Sequence, residues 1–265
     1  MLDVLVPVMI FLVVLVFYAN IRYHRQTSDE PELLVASSSY DIEEVSRLKV
    51  PVVFKGAMQG SNSAGGELAS HVSHGAHLLN SSTGVAAPIE GDLDSLPLGR
   101  HALLVDGYAC PTVSDAGRPP LTVRVKRRAL YLKKGSRTPC AWSLSVRTCI
   151  CPVSSRVVCE LLPPANVEGE SSIRGAFSEI YVPTDTSSSL TTSLDPGDVL
   201  IVPQFWGWRL AGVTSTGVEV VSYHTVMSYL TCAPELVACD LRPTNSHDLS
   251  RATPAKKRVR WKDTL

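Results

Sequence analysis

The sequence predicts a mainly β protein, with a single N-terminal transmembrane helix followed by a β-sandwich or jelly-roll barrel. The first observation is an uninterrupted apolar run over residues 4–19, with no comparable run later in the chain. The second is a series of short apolar or alternating segments that reads as eight or nine strands. The third is the set of Gly-, Pro-, Ser- and Asp-rich breaks between those segments, which are typical of turns in sandwiches and barrels.

The apolar run predicts a membrane anchor. Its sixteen residues cover roughly 24 Å as a helix, against a hydrocarbon core of ~30 Å. A removable signal peptide is the alternative, but no basic segment precedes the run and no run of small residues marks a cleavage site. Arg22, His24 and Arg25 follow the run, and this positive flank predicts a single-pass protein with a cytosolic C-terminal domain. The expected anchor residues include Val4, Pro7, Ile10, Leu12, Leu15, Phe17 and Tyr18.

Charge is segregated although the formal net charge is zero. We expect an anchor over residues 1–21, an acidic juxtamembrane linker over 22–47, a β-rich domain over 48–240 and a basic extended tail over 241–265. Residues 116–159 contain ten Lys or Arg and no acid. This block could be a solvated strand face, or it could meet an acidic protein surface, anionic lipid or nucleic acid. The basic patch predicted at its centre comprises Arg124, Lys126, Arg127, Arg128, Lys133, Lys134 and Arg137.

Strict alternation of apolar and polar residues predicts a half-buried strand over residues 121–126. Short helices are expected only over residues 41–48 and 67–79. The further predicted strands are 50–54, 101–105, 129–132, 141–151, 156–162, 177–182, 199–202 and 217–223.

The most distinctive segment outside the anchor is residues 195–208, DPGDVLIVPQFWGW. It resembles the second conserved stretch of cupin and JmjC-type oxygenases, which implies a cupin-like barrel. In that family an iron-binding histidine follows, but Trp208 takes its place, and no histidine lies between His101 and His224. A two-histidine, one-carboxylate site therefore cannot be assembled from this pattern. The alternative is a turn at Pro196-Gly197 that leads into a strand, with Phe205, Trp206 and Trp208 in a core or interface.

Histidines and cysteines offer weaker candidates for a metal site. His71, His74 and His77 recur every three residues and could share one helix face, but Gly75 and serines favour a solvated loop. The cysteines show no pairing pattern, and Cys149, Cys151 and Cys159 lack a fourth zinc ligand nearby, so reduced thiols in strands are expected. No metal site, catalytic residue or cofactor is predicted.

The basic tail predicts a partner-binding peptide. As a strand, it would place Val259 and Trp261 on one face and basic side chains on the other, which suits addition to a partner's sheet edge. It also resembles the RVxF-type docking peptide of protein phosphatase 1 ligands. A surface contact with lipid or nucleic acid is the plainer alternative. The predicted partner-binding residues are Lys256, Lys257, Arg258, Val259, Arg260 and Trp261.

The anchor, β body and basic tail together resemble membrane proteins of nucleocytoplasmic large DNA viruses, the iridovirus-like group above all. This resemblance implies a minor capsid or virion membrane protein, a structural adaptor between an internal virion membrane and a protein shell, and not an enzyme. Its expected partners are the lipid bilayer and coat or capsid proteins; nucleic acid is not expected. The alternatives are a membrane protein that recruits protein phosphatase 1 and a degenerate cupin- or JmjC-like domain.

Overall fold

The computed structural model describes residues 2–25, 32–37, 42–57, 77–80, 86–88, 101–106, 118–167, 173–174, 180–182, 189–235 and 237. The helices are α1 (Leu2–Arg25), α2 (Ile42–Ser46), α3 (Pro164–Val167) and α4 (Val226–Thr231). The strands are β1 (Leu34–Ser37), β2 (Val52–Lys55), β3 (His77–Asn80), β4 (Ala86–Pro88), β5 (His101–Asp106), β6 (Thr122–Leu132), β7 (Cys140–Trp142), β8 (Arg147–Pro152), β9 (Val157–Leu162), β10 (Ile173–Arg174), β11 (Ile180–Val182), β12 (Leu190–Leu194), β13 (Val199–Pro203), β14 (Gly207–Gly212) and β15 (Thr216–Thr225). The prediction of a mainly β chain with one apolar N-terminal helix is confirmed.

The strands form two sheets, with orders β1-β2-β13-β8-β15-β6-β5-β3-β4 and β10-β11-β7-β14-β9-β12. The larger sheet is mixed, because β1 and β2 pair in parallel whereas its other pairs are antiparallel. At the centre, the row β13-β8-β15-β6 belongs to one sheet and the row β7-β14-β9-β12 to the other. Among these eight strands, the chain passes from one sheet to the other at every step but one. The exception is the step from β9 to β12, which are neighbours in the smaller sheet. This order is that of a jelly roll, the architecture that also includes cupins.

The central strands are buried on both faces. Leu200 and Val202 of β13 point between the two sheets and pack with side chains of β9 and β14 in the main core. The alternate residues Val199 and Ile201 point to the outer face of the larger sheet, where α2 covers them. Burial on both faces explains why β8, β13 and β15 are continuously buried rather than alternating.

The strand predictions locate most of the barrel but not all of its boundaries. The separate predicted strands 121–126 and 129–132 are one strand, β6, whereas the predicted strand 141–151 is divided into β7 and β8. β12 and β14 were missed, because β12 is rich in Thr and Ser and β14 begins and ends with glycine. The expected helix over 67–79 is wrong for residues 77–79, which belong to strand β3 and pair with β5. Residues 67–76 lie outside the described residues. β1 lies within the predicted linker and pairs with β2.

Helix α1 contains a stretch, Val6–Tyr23, that is long and apolar enough to cross a membrane and is not buried against the rest of the chain. A signal sequence would satisfy the same criteria of length and composition. The C-terminal part of the structure reaches this helix, because α1 contacts α4. Lys49, which follows α2, also contacts α1: its Nζ donates to the Tyr23 carbonyl and lies 4.1 Å from the centroid of the Tyr23 ring.

The turn before β13 is held by a buried carboxylate. Gly197 has φ +91°, and the N–H of Asp198 donates to the carbonyl of Asp195 at 3.0 Å. The Asp198 carboxylate accepts from Lys55 Nζ at 2.6 Å, from the Asp195 N–H at 2.9 Å and from the Gly56 N–H at 3.1 Å. Burial acts to raise the pKa of Asp198, but these hydrogen bonds outweigh it and hold the pKa below its ordinary value. The PGD motif therefore ties β13 to the end of β2.

Replacing Asp198 with Asn should destabilise the fold by about 1–3 kcal/mol at neutral pH, because the hydrogen bonds to the buried charge are weakened. The depressed pKa means that this stabilisation is present above pH ~4 and is lost as the pH falls through the folded-state pKa. Denaturant unfolding at several pH values should show the two proteins converging in acid. Asp195→Asn is the control, since its partner Arg156 is exposed, and it should change stability far less. A difference that stays constant in acid would contradict this account.

Candidate functional site

A chain of hydroxyl groups lies inside the barrel at one end. Ser143 and Ser145, in the loop between β7 and β8, lie 2.9 Å and 2.7 Å from the hydroxyl of Thr148. Thr148 is in turn 3.4 Å from Ser222 of β15. All four side chains are buried. The register places Lys126 of β6 beside Ser222, so this end of the interior is polar, whereas Val218 and Leu130 fill it further along.

The same loop joins the two sheets through the turn between β13 and β14. The Phe205 N–H donates to the Ser143 carbonyl at 2.6 Å, and the Ser143 N–H donates to the Trp206 carbonyl at 2.9 Å. The Trp142 indole N–H donates to the Phe205 carbonyl at 2.9 Å. Phe205 has φ +71°, which is uncommon for a large side chain, so these contacts hold the turn in a strained conformation. Phe205, Trp206 and Trp208 are all buried in the domain.

The residues at this end do not fit an iron centre of the two-histidine, one-carboxylate type. Within the described ranges, no three His, Cys, Asp or Glu side chains come together to hold a metal ion. The β7–β8 loop supplies serine hydroxyls, and Trp208 is packed in the main core. His224 lies at the end of β15, where its ring stacks on Tyr229 with centroids 5.2 Å apart. The donor set that such iron requires is therefore not assembled here.

The described cysteines do not offer reactive thiols. Cys140, Cys149, Cys151, Cys159 and Cys232 are all buried. Burial raises the pKa of Cys149 to about 12, with Arg147 opposing the rise and Glu219 adding to it. Burial likewise raises the pKa of Cys232 to about 11. Because the thiolate is the reactive form, these groups are inert near neutral pH.

A cavity of about 560 Å³ opens at this same end, on the side of α1 and α2. Its walls come from the end of α1, from α2 and the residues after it, from the start of β6 and of β8, from the turn between β13 and β14, and from the junction of β15 with α4. Its described lining residues are Tyr23, Glu43, Ser46, Arg47, Lys49, Pro119, Pro120, Leu121, Thr122, Val123, Val146, Arg147, Pro203, Gln204, Thr225, Val226 and Met227. The volume is within the range of small-molecule sites, and the wall combines apolar side chains with a few charges.

Positive charges outnumber negative charges among the described residues of the cavity wall. Arg147 is almost fully buried and donates to Glu43 at 3.1 Å. The backbone N–H of Arg47 donates to the Glu44 carbonyl, but its guanidinium group has no hydrogen bond or ion pair with the described part of the chain. Burial lowers the pKa of Lys49, whose ammonium group contacts the Tyr23 ring and carbonyl rather than a carboxylate. Three cationic side chains therefore face a single carboxylate among the described lining residues.

Gln204 connects this cavity wall to α4. Its amide Nε2 lies 2.9 Å from Thr231 Oγ1, 3.2 Å from the Ser228 carbonyl and 3.3 Å from the Leu144 carbonyl. α4 itself begins with a capping box, in which Thr225 and Ser228 exchange side-chain and backbone hydrogen bonds. A glutamine in the β13–β14 turn thus positions the helix that contacts α1.

The structure separates residues that the sequence grouped as one basic patch. Arg124 lies near the start of β6, at the cavity end, whereas Lys133, Lys134 and Arg137 follow the other end of that strand. Arg128 is buried, and Arg137 approaches Glu160 at 4.0 Å. The predicted partner-binding residues 256–261 lie outside the described residues, as do His71 and His74. The cavity itself was missed, because its walls come from segments far apart in sequence.

No family model matches the sequence, and no curated protein matches it. Among solved structures, the chain is similar to the X-ray structure of YcfD from Escherichia coli, with 14% identity, a TM-score of 0.49, and coverage of 81% of this chain and 60% of YcfD. It is also similar to YcfD, described as a ribosomal oxygenase, in complex with cobalt and 2-oxoglutarate, with 15% identity, a TM-score of 0.48, and coverage of 82% and 59%. The chain thus spans about 60% of the length of these proteins.

These comparisons correct the functional prediction. The expectation of a virion or minor capsid protein that links a membrane to a shell was wrong, because the solved structures reported above are of YcfD, which is described as a ribosomal oxygenase. The expectation that the chain is not an enzyme is contradicted by the same matches. At this identity the likeness concerns the fold alone, and the ribosomal activity, cobalt and 2-oxoglutarate are those of YcfD. These matches agree better with the alternative of a degenerate cupin- or JmjC-like domain.

The connection between Gln204 and α4 predicts a measurable coupling. Gln204→Leu removes hydrogen bonds to buried acceptors and should destabilise the domain by about 1–3 kcal/mol. Thr231→Val removes one partner of the same amide. In a double-mutant cycle measured by denaturant unfolding of the full chain, the two changes should couple by about 1 kcal/mol, since they share one hydrogen bond. Strict additivity would mean that this bond does not link the turn to α4.

Proposed function

We propose that this chain is a membrane-anchored, degenerate cupin-like domain that binds a ligand in the cavity between the first helix and the end of the barrel. The cavity is the observation that carries the proposal. It lies where the loops of the jelly roll, α2 and the end of α1 meet, and it combines an apolar wall with Arg47, Lys49 and the Arg147–Glu43 pair. Binding sites of folded domains are typically concave surfaces of this composition.

The contacts of α1 support a retained anchor rather than a removable signal. Tyr23 forms part of the cavity wall, and Lys49 holds both its ring and its carbonyl. Cleavage before this point would remove the helix that α4 contacts. Arg22, His24 and Arg25 at the end of the helix favour a cytosolic domain. The domain would then lie directly against the cytosolic face of the membrane, with the cavity at the bilayer boundary.

The binding site differs from the iron site of the oxygenases that the PGD motif resembles. The β7–β8 loop carries Ser143 and Ser145, whose hydroxyls are satisfied by Thr148 and by each other. Because this cluster is buried and internally bonded, ligand binding is assigned to the neighbouring cavity instead. The domain would thus have a cupin-like fold, but its ligand would bind beside α1 rather than inside the barrel.

Filling the cavity tests the proposal. Ser46 of α2 lines the cavity, so Ser46→Trp should occupy it, whereas Glu44→Trp places the same side chain on the exposed side of that helix. Native mass spectrometry of the full chain released from nanodiscs should detect one bound small molecule or lipid on the wild type and on Glu44→Trp, and none on Ser46→Trp. Binding in this cavity would be contradicted if the wild type carried no bound molecule, or if the Ser46→Trp variant still carried one.

Iron binding gives an independent test. The full chain, reconstituted anaerobically with Fe(II) and 2-oxoglutarate and then desalted, should retain far less than one iron per chain, because the described residues do not assemble the ligand set. Elemental analysis measures this directly. Stoichiometric iron on a folded chain would overturn the degenerate assignment and favour an oxygenase.

A further inference from the structure

Several large apolar side chains are exposed around the mouth of the cavity. Leu121 is 87% exposed, and Val123 and Val226 are 58% and 57% exposed, although all three line the cavity. Leu48, between the lining residues Arg47 and Lys49, is 57% exposed. Leu121 also has φ +60°, a conformation that disfavours a branched side chain. Apolar groups from three separate segments thus converge on one rim, which marks an interaction surface.

The position of α1 indicates what this rim contacts. Tyr23, at the end of the apolar stretch, is part of the cavity wall and is bound by Lys49. A tyrosine at the end of a membrane helix belongs at the headgroup level. The rim therefore lies at that level too, where Leu121, Val123 and Val226 can enter the boundary between headgroups and acyl chains. No further partner is needed to cover this surface.

The charges specify the headgroup. The guanidinium group of Arg47 has no partner in the described part of the chain, and Lys49 has no carboxylate within hydrogen-bond distance there, while Glu43 is already bound to Arg147. Arg118 and Arg124 are exposed and each is adjacent to a lining residue. Cationic side chains beside an apolar wall match a phosphate group attached to acyl chains. The volume of about 560 Å³ has room for such a headgroup.

We propose that the cavity binds the headgroup of an anionic phospholipid taken from the bilayer in which α1 is anchored, with Arg47 and Lys49 at the phosphate and Leu121, Val123 and Val226 among the acyl chains. This inference rests on the proposed function, since it requires the anchor and the cavity. It names the ligand and the source of the ligand. The bilayer supplies the lipid laterally, so no soluble carrier is required.

The test uses the full chain in nanodiscs that contain equal amounts of phosphatidylcholine and phosphatidylglycerol. Native mass spectrometry should show preferential retention of phosphatidylglycerol by the wild type. The double change Arg47→Gln, Lys49→Asn should reduce that preference by about thirtyfold, the effect of two cationic contacts at a membrane surface. Asn is chosen at position 49 because it tolerates the φ of +56° found there. The matched control, Lys134→Gln with Arg137→Gln, removes equal charge at the far end of β6 and should leave the preference unchanged.

Hydrogen exchange supplies a second readout. Residues 118–124 and 226–230 should exchange more slowly in nanodiscs with phosphatidylglycerol than in phosphatidylcholine alone. Glycerol 3-phosphate added to the phosphatidylcholine nanodiscs should not reproduce the protection; if it does, the ligand is a soluble anion and the proposal is wrong. Equal loss of preference in the control variant would also overturn it. Lipid adducts that Ser46→Trp removes but that show no headgroup preference would refute this inference while leaving the proposed function intact.

Discussion

The crossing between the β7–β8 loop and the β13–β14 turn is the contact on which the rest of this end of the molecule depends. Ser143 exchanges backbone hydrogen bonds with Phe205 and Trp206, and Trp142 donates to Phe205. These bonds fasten the smaller sheet to the larger one at a point where Phe205 adopts a positive φ. Because the turn is fixed, Gln204 faces α4, and α4 in turn contacts α1. The positions of α4 and of this cavity wall therefore depend on one backbone junction.

Two groups of polar side chains lie on either side of that junction, and they differ in whether their members satisfy one another. Inside the barrel, serine and threonine hydroxyls satisfy one another in a buried chain that ends at Ser222. Outside it, cationic groups are in excess on the cavity wall, because Glu43, which pairs with Arg147, is the single carboxylate among the described lining residues. A saturated polar network stabilises a core, whereas an unsaturated charged one attracts a ligand. This contrast explains why the candidate site is beside the barrel rather than within it.

Local patterns in the sequence predicted the features that depend on local interactions, namely the helix, the turn and several strands. The apolar run is a helix, and the PGD motif forms the expected turn, with Asp198 bonded as such a turn requires. Alternation located β6, a continuous apolar run located β13, and a Val-rich segment interrupted by Glu219 and Ser222 located β15. β14 escaped notice because Trp208 and Leu210 alternate with Arg209 and Ala211 over only six residues between glycines. The order of strands in the two sheets is set by long-range pairing, which short patterns do not encode.

The candidate site could not be predicted for the same reason. Its walls bring Tyr23 next to Lys49, and Arg147 next to Glu43, pairs separated by 26 and 104 positions. Charge counting placed the emphasis on the basic segment as a whole, although among its described residues only 119–123, Val146 and Arg147 line the cavity. The tail received weight because its motif is compact in sequence. Resemblance of overall architecture then favoured a shell protein, whereas the strand order is that of a jelly roll shared by many functions.

The length of β6 gives the molecule two electrostatic environments. Its eleven residues extend roughly 35 Å as a strand, and Lys133 and Lys134 follow at its far end. With α1 in a bilayer, the start of β6 lies at the membrane, where anionic headgroups set the local potential. That potential decays within ~8 Å at physiological ionic strength. Under the proposed arrangement the far end of β6 would stand in the aqueous phase, and a soluble partner approaching it would meet lysines beyond the range of the membrane potential.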